Sequence, residues 1–377
     1  MSDLGYDELL ALMDAAPDEV GPTVVLADWL QQEGDPRGEL IALQLAKETA
    51  TGAAWEALEQ RTSAHLAAHA NALLPSVGAA RLHWRRGFVH RVEIGEGMTL
   101  LAGTLEQWAR HPSMRLWREL AIASFMELGT NLRPLPATLR KLELRGSPGP
   151  ISETVAVAPA LHTLMVVGQT DVEALRHPSL AELHLHAMAY SYLAFDGEGS
   201  LPVALGARLA KLKSAALPSL RRLTLDIAVE YNAEAALDEP VQGLAESGVV
   251  GGLTQLELVG RLSEEGARAL ARGRAGAPRL DWLRVRDSAS PQLSRELRAI
   301  LQPLCRELVD NALERPLRAA RPKVEEAPKE RRVRNRFKPA WGVGRVIAEG
   351  DEGIEVAFEA AGVKLIRSPE LLVDVED

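Results

Sequence analysis

The chain has 377 residues, enough for two or three modules and a sizeable buried core. Its 43 Lys and Arg stand against 52 Asp and Glu, a formal charge of −9 that argues against a general nucleic-acid binder. The single cysteine, Cys305, excludes an intramolecular disulfide framework and any multi-cysteine zinc site, and is expected as a small buried apolar side chain.

The amino terminus carries Asp3 where a secretory signal would carry positive charge ahead of a long apolar run. No stretch reaches about 18 uninterrupted apolar residues, the length a membrane span needs. The chain is therefore expected to be cytoplasmic, with no membrane partner.

Residues 1–75 read as a helical domain. Asp7 is placed to cap a segment carrying Leu9, Leu10, Leu12 and Met13, and Pro17 ends it. A second helix begins near Pro22 and Thr23, sets Val25, Leu26, Trp29 and Leu30 at helical spacing, and stops at Gly34. Asp35-Pro36 opens a third with a side-chain acceptor at the cap and proline at the first position, where its missing N–H costs nothing. An Ala-rich helix over about 52–74 follows, ended by Pro75.

The stretch Leu-Ala-Asp-Trp-Leu at 26–30, with the run from Glu33 through Gly-Asp-Pro-Arg-Gly-Glu-Leu to Gln44, resembles a small helical repeat-companion domain that precedes leucine-rich and similar repeats in some bacterial proteins. That resemblance implies repeats downstream. Asp28 and Arg37 are spaced to form an ion pair across the loop between the two helices.

Between 82 and 315 an apolar triplet recurs: an apolar residue, two others, Leu, one other, and a further apolar residue, usually two residues after a proline. It starts at Trp117, Leu139, Leu161, Leu180, Leu220, Leu253 and Leu280, in steps of 22, 22, 19, 40, 33 and 27 residues. The region resembles leucine-rich repeats, whose period is about 20–29 residues. The longer steps imply insertions or a degenerate repeat. Short far-side helices are expected in stretches such as 173–178 and 264–272, and Arg86 to Ile94 is expected as the opening strand. The family's asparagine is replaced by Phe125, Ser147, Gln169, Met188, Ala228, Arg261 and Ser288, so its hydrogen-bond ladder is expected to be largely absent and the solenoid irregular.

Residues 316–338 carry three prolines, and from 318 onward nine Lys or Arg against three Glu. Such composition buries no core and reads as a solvated basic linker. Arg331, Arg332, Arg334, Arg336 and Lys338 are its candidate nucleic-acid contacts. Residues 339–377 read as a β meander: a strand at Arg345–Glu349, a turn at Gly350–Gly353, an alternation of Ile354, Val356 and Phe358, and a return through Val363 and Leu365. Trp341-Gly-Val-Gly344, Phe358 and Gly362-Val-Lys364 resemble the Tudor/SH3-like tail of UvrD- and PcrA-type helicases, a protein-binding module that contacts RNA polymerase in that family. The resemblance makes Trp341, Gly342, Gly344, Phe358, Gly362 and Lys364 candidate module residues.

The fold expectation is thus α/β: an irregular leucine-rich-repeat-like solenoid with an N-terminal helical domain and a small C-terminal all-β SH3/Tudor-like barrel. No phosphate-binding loop, His-Glu-x-x-His, nucleophile elbow or Cys/His cluster occurs, so neither an enzyme nor a cofactor is expected. His184 and His186 share one face of a strand but lack a third ligand nearby.

If the triplets point inward, the residues between them form one outward face. It carries Lys141, Glu143 and Arg145 on one strand, then Thr163 and Met165. Glu182, His184 and His186 follow, then Arg222, Thr224 and Asp226. Gln255 and Glu257 precede Trp282, Arg284 and Arg286. A fixed array containing Trp and Arg predicts a protein-partner surface, and hence a protein–protein interaction scaffold with the C-terminal module as a second binding site. The alternative is a transcription- or nucleic-acid-associated factor acting through the basic linker and the Tudor-like module.

Overall fold

The computed structural model describes residues 5–75, 77–78, 80–95, 103–124, 135–146, 152–156, 158–168, 172–188, 201–228, 237–286, 293–310, 332–335, 341, 343–350, 353–358, 362–366 and 372–374. Two compact units divide the chain, residues 1–313 and 314–377. The helical segment and the repeats therefore belong to one unit.

Four helices open the first unit: α1 (Tyr6–Ala15), α2 (Gly21–Gln32), α3 (Pro36–Thr49) and α4 (Gly52–Ala68), followed by the single turn α5 (Ala70–Leu73). Gly5 rather than Asp7 precedes α1, where the Glu8 carboxylate accepts from the Gly5 N–H. Asp35 caps α3 as its sequence predicts, accepting from the Arg37 N–H at 2.9 Å. The same carboxylate pairs with the Arg37 guanidinium at 2.5 Å, while Asp28 is exposed. The pair expected between Asp28 and Arg37 is thus replaced by a shorter local one, because the cap already holds a carboxylate beside the guanidinium. Leu9, Leu10, Met13, Leu26, Leu30 and Ile41 form the helical core, and Phe88 from the sheet completes it.

A ten-stranded sheet flanked by helices makes the unit mixed α/β and solenoid-like. Its strands run in chain order from β1 (Arg81–Arg85) and β2 (Phe88–Ile94) through β3 (Glu119–Ser124), β4 (Lys141–Gly146) and β5 (Thr163–Gly168). β6 (Glu182–Met188), β7 (Arg222–Ala228), β8 (Gln255–Val259), β9 (Leu280–Arg286) and β10 (Cys305–Asp310) complete it. Only the β1–β2 pair is antiparallel. All seven triplets map onto β3 to β9 with their apolar side chains buried. The opening segment differs from its expectation: Arg86 and Gly87 form the β1–β2 turn, and only Phe88 onward is strand.

Step length decides what covers the far side. The 19-residue step leaves 173–176 as a turn rather than the expected helix, since a strand and its bends already use that length. Longer steps carry α8 (Leu201–Leu209), α9 (Asp238–Ser247) and α10 (Glu264–Gly273), and α11 (Arg295–Leu301) precedes β10; α6 (Thr104–Ala109) and α7 (Ser152–Ala156) lie earlier in the chain. α8, α9 and α10 pack in sequence. Glycine permits the α8–α9 approach, because a Cβ on Gly243 would lie 2.1 Å from the Gly206 carbonyl oxygen.

The missing asparagines are compensated at another position. Phe125, Ser147, Gln169 and Ser288 lie outside the described residues, but the coil-to-coil bonds run through the residues that precede each strand. The carbonyls of Arg118, Arg140, His162, Ala181 and Arg221 each accept two successive N–H groups from the next coil; for Arg140 these are His162 at 2.8 Å and Thr163 at 2.9 Å. Hydroxyls beside the first triplet residue add a second line: Thr138 donates to the Trp117 carbonyl, Ser179 to Pro159 and Ser219 to Pro178, at 2.6, 2.7 and 2.6 Å. Buried His177 donates from Nε2 to the Ala158 carbonyl at 2.9 Å, and buried Arg274 donates to the carbonyls of Val250, Leu253 and Pro278.

The second unit is a five-stranded antiparallel sheet in the order β14-β13-β12-β11-β15. Its strands are β11 (Arg332–Asn335), β12 (Val343–Gly350), β13 (Gly353–Phe358), β14 (Gly362–Ile366) and β15 (Leu372–Asp374). The segment expected as a linker up to 338 therefore contributes a strand: Val333 is fully buried against Val346, Ile354, Val356 and Phe358. One apolar side chain between arginines is enough for a central strand when both neighbours supply the ladder.

Among the described residues, the β1–β2 turn holds the one non-glycine residue with a positive φ. Arg86 has φ +48° and Gly87 φ +79°, the two left-handed positions of a tight hairpin, and the first usually falls to Asn or Gly. A side chain there costs about 1–2 kcal/mol. The buried Arg86 guanidinium offsets it by donating to the Pro17 and Glu19 carbonyls at 2.7 and 2.9 Å and to Glu48 at 3.0 Å. Arg86→Ala, which leaves those carbonyls without their donor, is expected to destabilise the first unit by about 2–3 kcal/mol. Urea unfolding followed by circular dichroism measures it, and an unchanged midpoint would contradict the account.

Candidate functional site

In a parallel sheet with no register shift, outward side chains on successive strands line up in rows about 4.8 Å apart. Three rows cross this sheet. The first runs Arg91, Glu119, Lys141, Thr163, Glu182, Arg222, Gln255, Trp282 and Glu307. The second runs Glu93, Ala121, Glu143, Met165, His184, Thr224, Glu257, Arg284 and Val309. The third joins Ala123, Arg145, Val167, His186, Asp226, Val259 and Arg286.

Long side chains this close lie across one another, so the face is less open than a simple in/out rule implies. Glu143 is buried, with 4% of its surface exposed, where the alternation alone predicts a solvent-facing residue. It pairs with Arg145 at 2.5 Å and with Arg91 at 3.5 Å, and Arg91 also reaches Glu93 at 2.9 Å and Glu119 at 3.5 Å. Lys141 lies 3.8 Å from Glu119. This end is an interlocked charge lattice. The His90 hydrogen bond, with Lys141 and Arg91 adding to it, holds the Glu119 carboxyl below the ordinary value of 4.5 against a desolvation cost that pushes the other way.

Around β6 and β7 the histidines have found partners. His184 Nδ1 lies 3.0 Å from the Thr224 hydroxyl and Nε2 3.5 Å from Glu182; His186 Nδ1 lies 3.0 Å from Asp226. Burial pushes His184 below the ordinary imidazole value despite the carboxylate beside it. Among the described residues no group of three or more His, Cys, Asp or Glu is arranged to hold a metal ion.

At the β7–β9 end, Trp282 is half-buried, and the guanidinium carbons of both Arg222 and Arg284 lie 5.4 Å from its ring centroid. Glu257, itself buried, lies 3.6 Å from Arg284 and 3.4 Å from Arg286. Arg222 has no carboxylate partner among the described residues. The structure thus brings Arg222, Trp282, Arg284 and Arg286 together, separately from the lattice around Glu143.

Several face residues escaped the sequence reading. Arg91, Glu93 and Glu119 follow from the alternation of β2 and from the Trp117 triplet, which places 119 outward. Glu307 and Val309 were hidden because β10 opens with Cys305 in place of leucine.

In the second unit Trp341 is half-buried, its ring 5.3 Å from that of Phe358 at 58°, and therefore belongs to the core. Gly344 is needed for close approach, since a Cβ there would lie 2.4 Å from Val356 Cγ1. Gly362 opens β14, and Lys364 on the same strand is exposed. Arg332 and Arg334 are strand residues of β11. Arg331, Arg336, Lys338 and Gly342 lie outside the described residues.

No family model matches the sequence, and no curated protein matches it. A crystal structure of a protein from Bacteroides fragilis aligns over 69% of this chain and 84% of its own at 15% identity, with a TM-score of 0.37. Among the described residues no helix is long and apolar enough to cross a membrane.

A depressed carboxyl pKa contributes stability above its unfolded value, and that contribution disappears as pH falls through the folded value. Glu119→Gln should therefore cost most near neutral pH and progressively less as the medium is acidified below 4.5. Denaturant titrations across pH test this; a penalty independent of pH would contradict it.

Proposed function

We propose that this protein is a non-enzymatic, cytoplasmic protein–protein interaction scaffold. A leucine-rich-repeat-like solenoid, begun by a repeat-companion domain, binds a partner on the outer face of its sheet, and an SH3/Tudor-like module at the carboxy terminus binds a second. The observation that carries the reading is the row alignment: nine parallel strands hold unlike side chains in fixed register across one wide face. Such a surface recognises shape and charge over many contacts, as extended repeat surfaces do.

The anchor is the β7–β9 cluster. Trp and Arg dominate interface energetics when they are partly preorganised, and here indole and guanidinium are stacked while Glu257 fixes two of the arginines. Trp282→Ala combined with Arg284→Ala and Arg286→Ala should eliminate a partner recovered by affinity purification of the full chain and mass spectrometry, while the circular dichroism spectrum is retained. Recovery of every partner by the triple variant would overturn the assignment.

A transcription- or nucleic-acid-associated role is the second reading. It draws support from the register of the second unit, which sets Arg332 directly opposite Arg345. Like charges at paired positions repel unless an anion lies between them. If that anion is a nucleic-acid phosphate, binding of RNA or DNA by the full chain should fall with salt, and Arg332→Gln with Arg345→Gln should lower the log–log salt slope by about 2. Absence of binding at low salt, together with failure to capture RNA polymerase, would remove this reading.

A further inference from the structure

Charge is distributed unevenly along the chain. Residues 1–36 contain nine Asp or Glu and no Lys, Arg or His, leaving 43 acidic residues against the 43 basic ones in the remainder. The first 36 residues therefore account for the whole net charge.

Part of this acidity faces the rest of the unit and is neutralised there. Asp7 pairs with Arg115 at 2.9 Å, Asp14 with Arg118 at 2.7 Å, Asp18 with Arg85 at 2.6 Å and Asp35 with Arg37 at 2.5 Å. Glu8 is used at the α1 cap. Glu19, Asp28 and Glu33 are exposed and have no side-chain partner among the described residues.

Asp28 lies within an apolar surface of α2, and Glu19 and Glu33 lie just beyond its two ends. α2 buries Thr23, Leu26, Ala27 and Leu30, which lie within one arc of the helix at 100° per residue. The opposite arc presents Val24, 42% exposed, and Val25, 45% exposed, beside Asp28; Trp29 follows at its edge, 38% exposed, with its ring 5.4 Å from Tyr6. Val20 at the helix start is 47% exposed. Single exposed apolar residues are ordinary, but here four lie on one helix of 12 residues and its cap. The helix spans about 18 Å, the length of a short helical ligand.

Charge selects the occupant. A second copy docked symmetrically would bring the same carboxylates to both sides of the contact, a like-charge arrangement that costs several kcal/mol. A cationic segment gains at the same three positions.

We propose that the outer face of α2 docks a cationic amphipathic helix of another protein, whose apolar side chains cover Val24, Val25 and Trp29 while its Lys or Arg pair with Glu19, Asp28 and Glu33. This surface is independent of the sheet face, so loss of one need not affect the other. It gives the helical segment a recognition role of its own in addition to closing the end of the sheet.

Two labelled synthetic helices of about 16 residues, roughly four turns, test the idea. They share leucines at i, i+3, i+4 and i+7, and carry either Lys or Glu at the flanking positions. Fluorescence anisotropy with the full chain should show binding of the Lys helix, weakened by salt, and none of the Glu helix. Val24→Ser with Val25→Ser should weaken the Lys helix about tenfold or more. Glu19→Gln with Asp28→Asn and Glu33→Gln should weaken it and flatten the salt dependence. Failure of the Lys helix to bind, or binding unchanged in both variants, overturns the proposal. So does concentration-dependent dimerisation of the free protein that the valine variant abolishes, since the occupant is then a second copy.

Discussion

At the start of the repeat strands, a carbonyl of one coil accepts two consecutive N–H groups from the next, and this doubled acceptor sets the register of the sheet from β3 to β8. Once Arg118, Arg140, His162, Ala181 and Arg221 have bonded twice, each strand has one way to continue. The first inward side chain must be apolar, the next must face out, and the alternation is locked for the length of the strand. Leucine burial supplies the driving force, but it is indifferent to a slip by two residues. The polar ladder is what makes the register unique.

From that constraint comes the character of the outer face. Exact alignment of unlike residues brings long charged side chains into reach of both neighbours, so they neutralise one another where the sequence happens to alternate sign. Around Glu143 this has gone to completion, and the carboxylate is buried by its own arginine partners. Toward β9 an aromatic ring interrupts the lattice and leaves Arg222 resting on indole.

The inward half of the repeat unit was legible because each triplet carries its own local signature, and the seven starts from Trp117 to Leu280 became seven strands. The coil connections were less legible. Uneven steps looked like degeneracy, whereas the length of a step decides between a turn at 173–176 and full helices such as α9 and α10. Four of the seven positions that stand in place of the asparagine lie outside the described residues, and the coil-to-coil bonds of Thr138, Ser179 and Ser219 lie at a different place in the coil. Those serines are visible only as part of a proline turn whose partner is some 20–40 residues away, a distance that no local pattern conveys. Likewise β11 was hidden by its arginines, since a strand held on both sides needs only Val333 to point inward. On the outer face, alternation identified which residues share a surface, but lateral pairing decided how exposed each one is.

The Arg86–Gly87 turn has a consequence for how such a chain can vary. Its left-handed arginine is held by backbone carbonyls of the α1–α2 connection, and the next residue, Phe88, completes the helical core. Helices and first hairpin are thus a single starter piece, neither half of which is finished alone. From β5 onward each strand pairs only with its immediate neighbours in the sheet, so those later coils can be gained, lost or lengthened by duplication while the starter stays constant. Inheritance of the helical segment without its hairpin would leave an unsatisfied core, which makes the two expected to travel together between genes even when every later repeat differs.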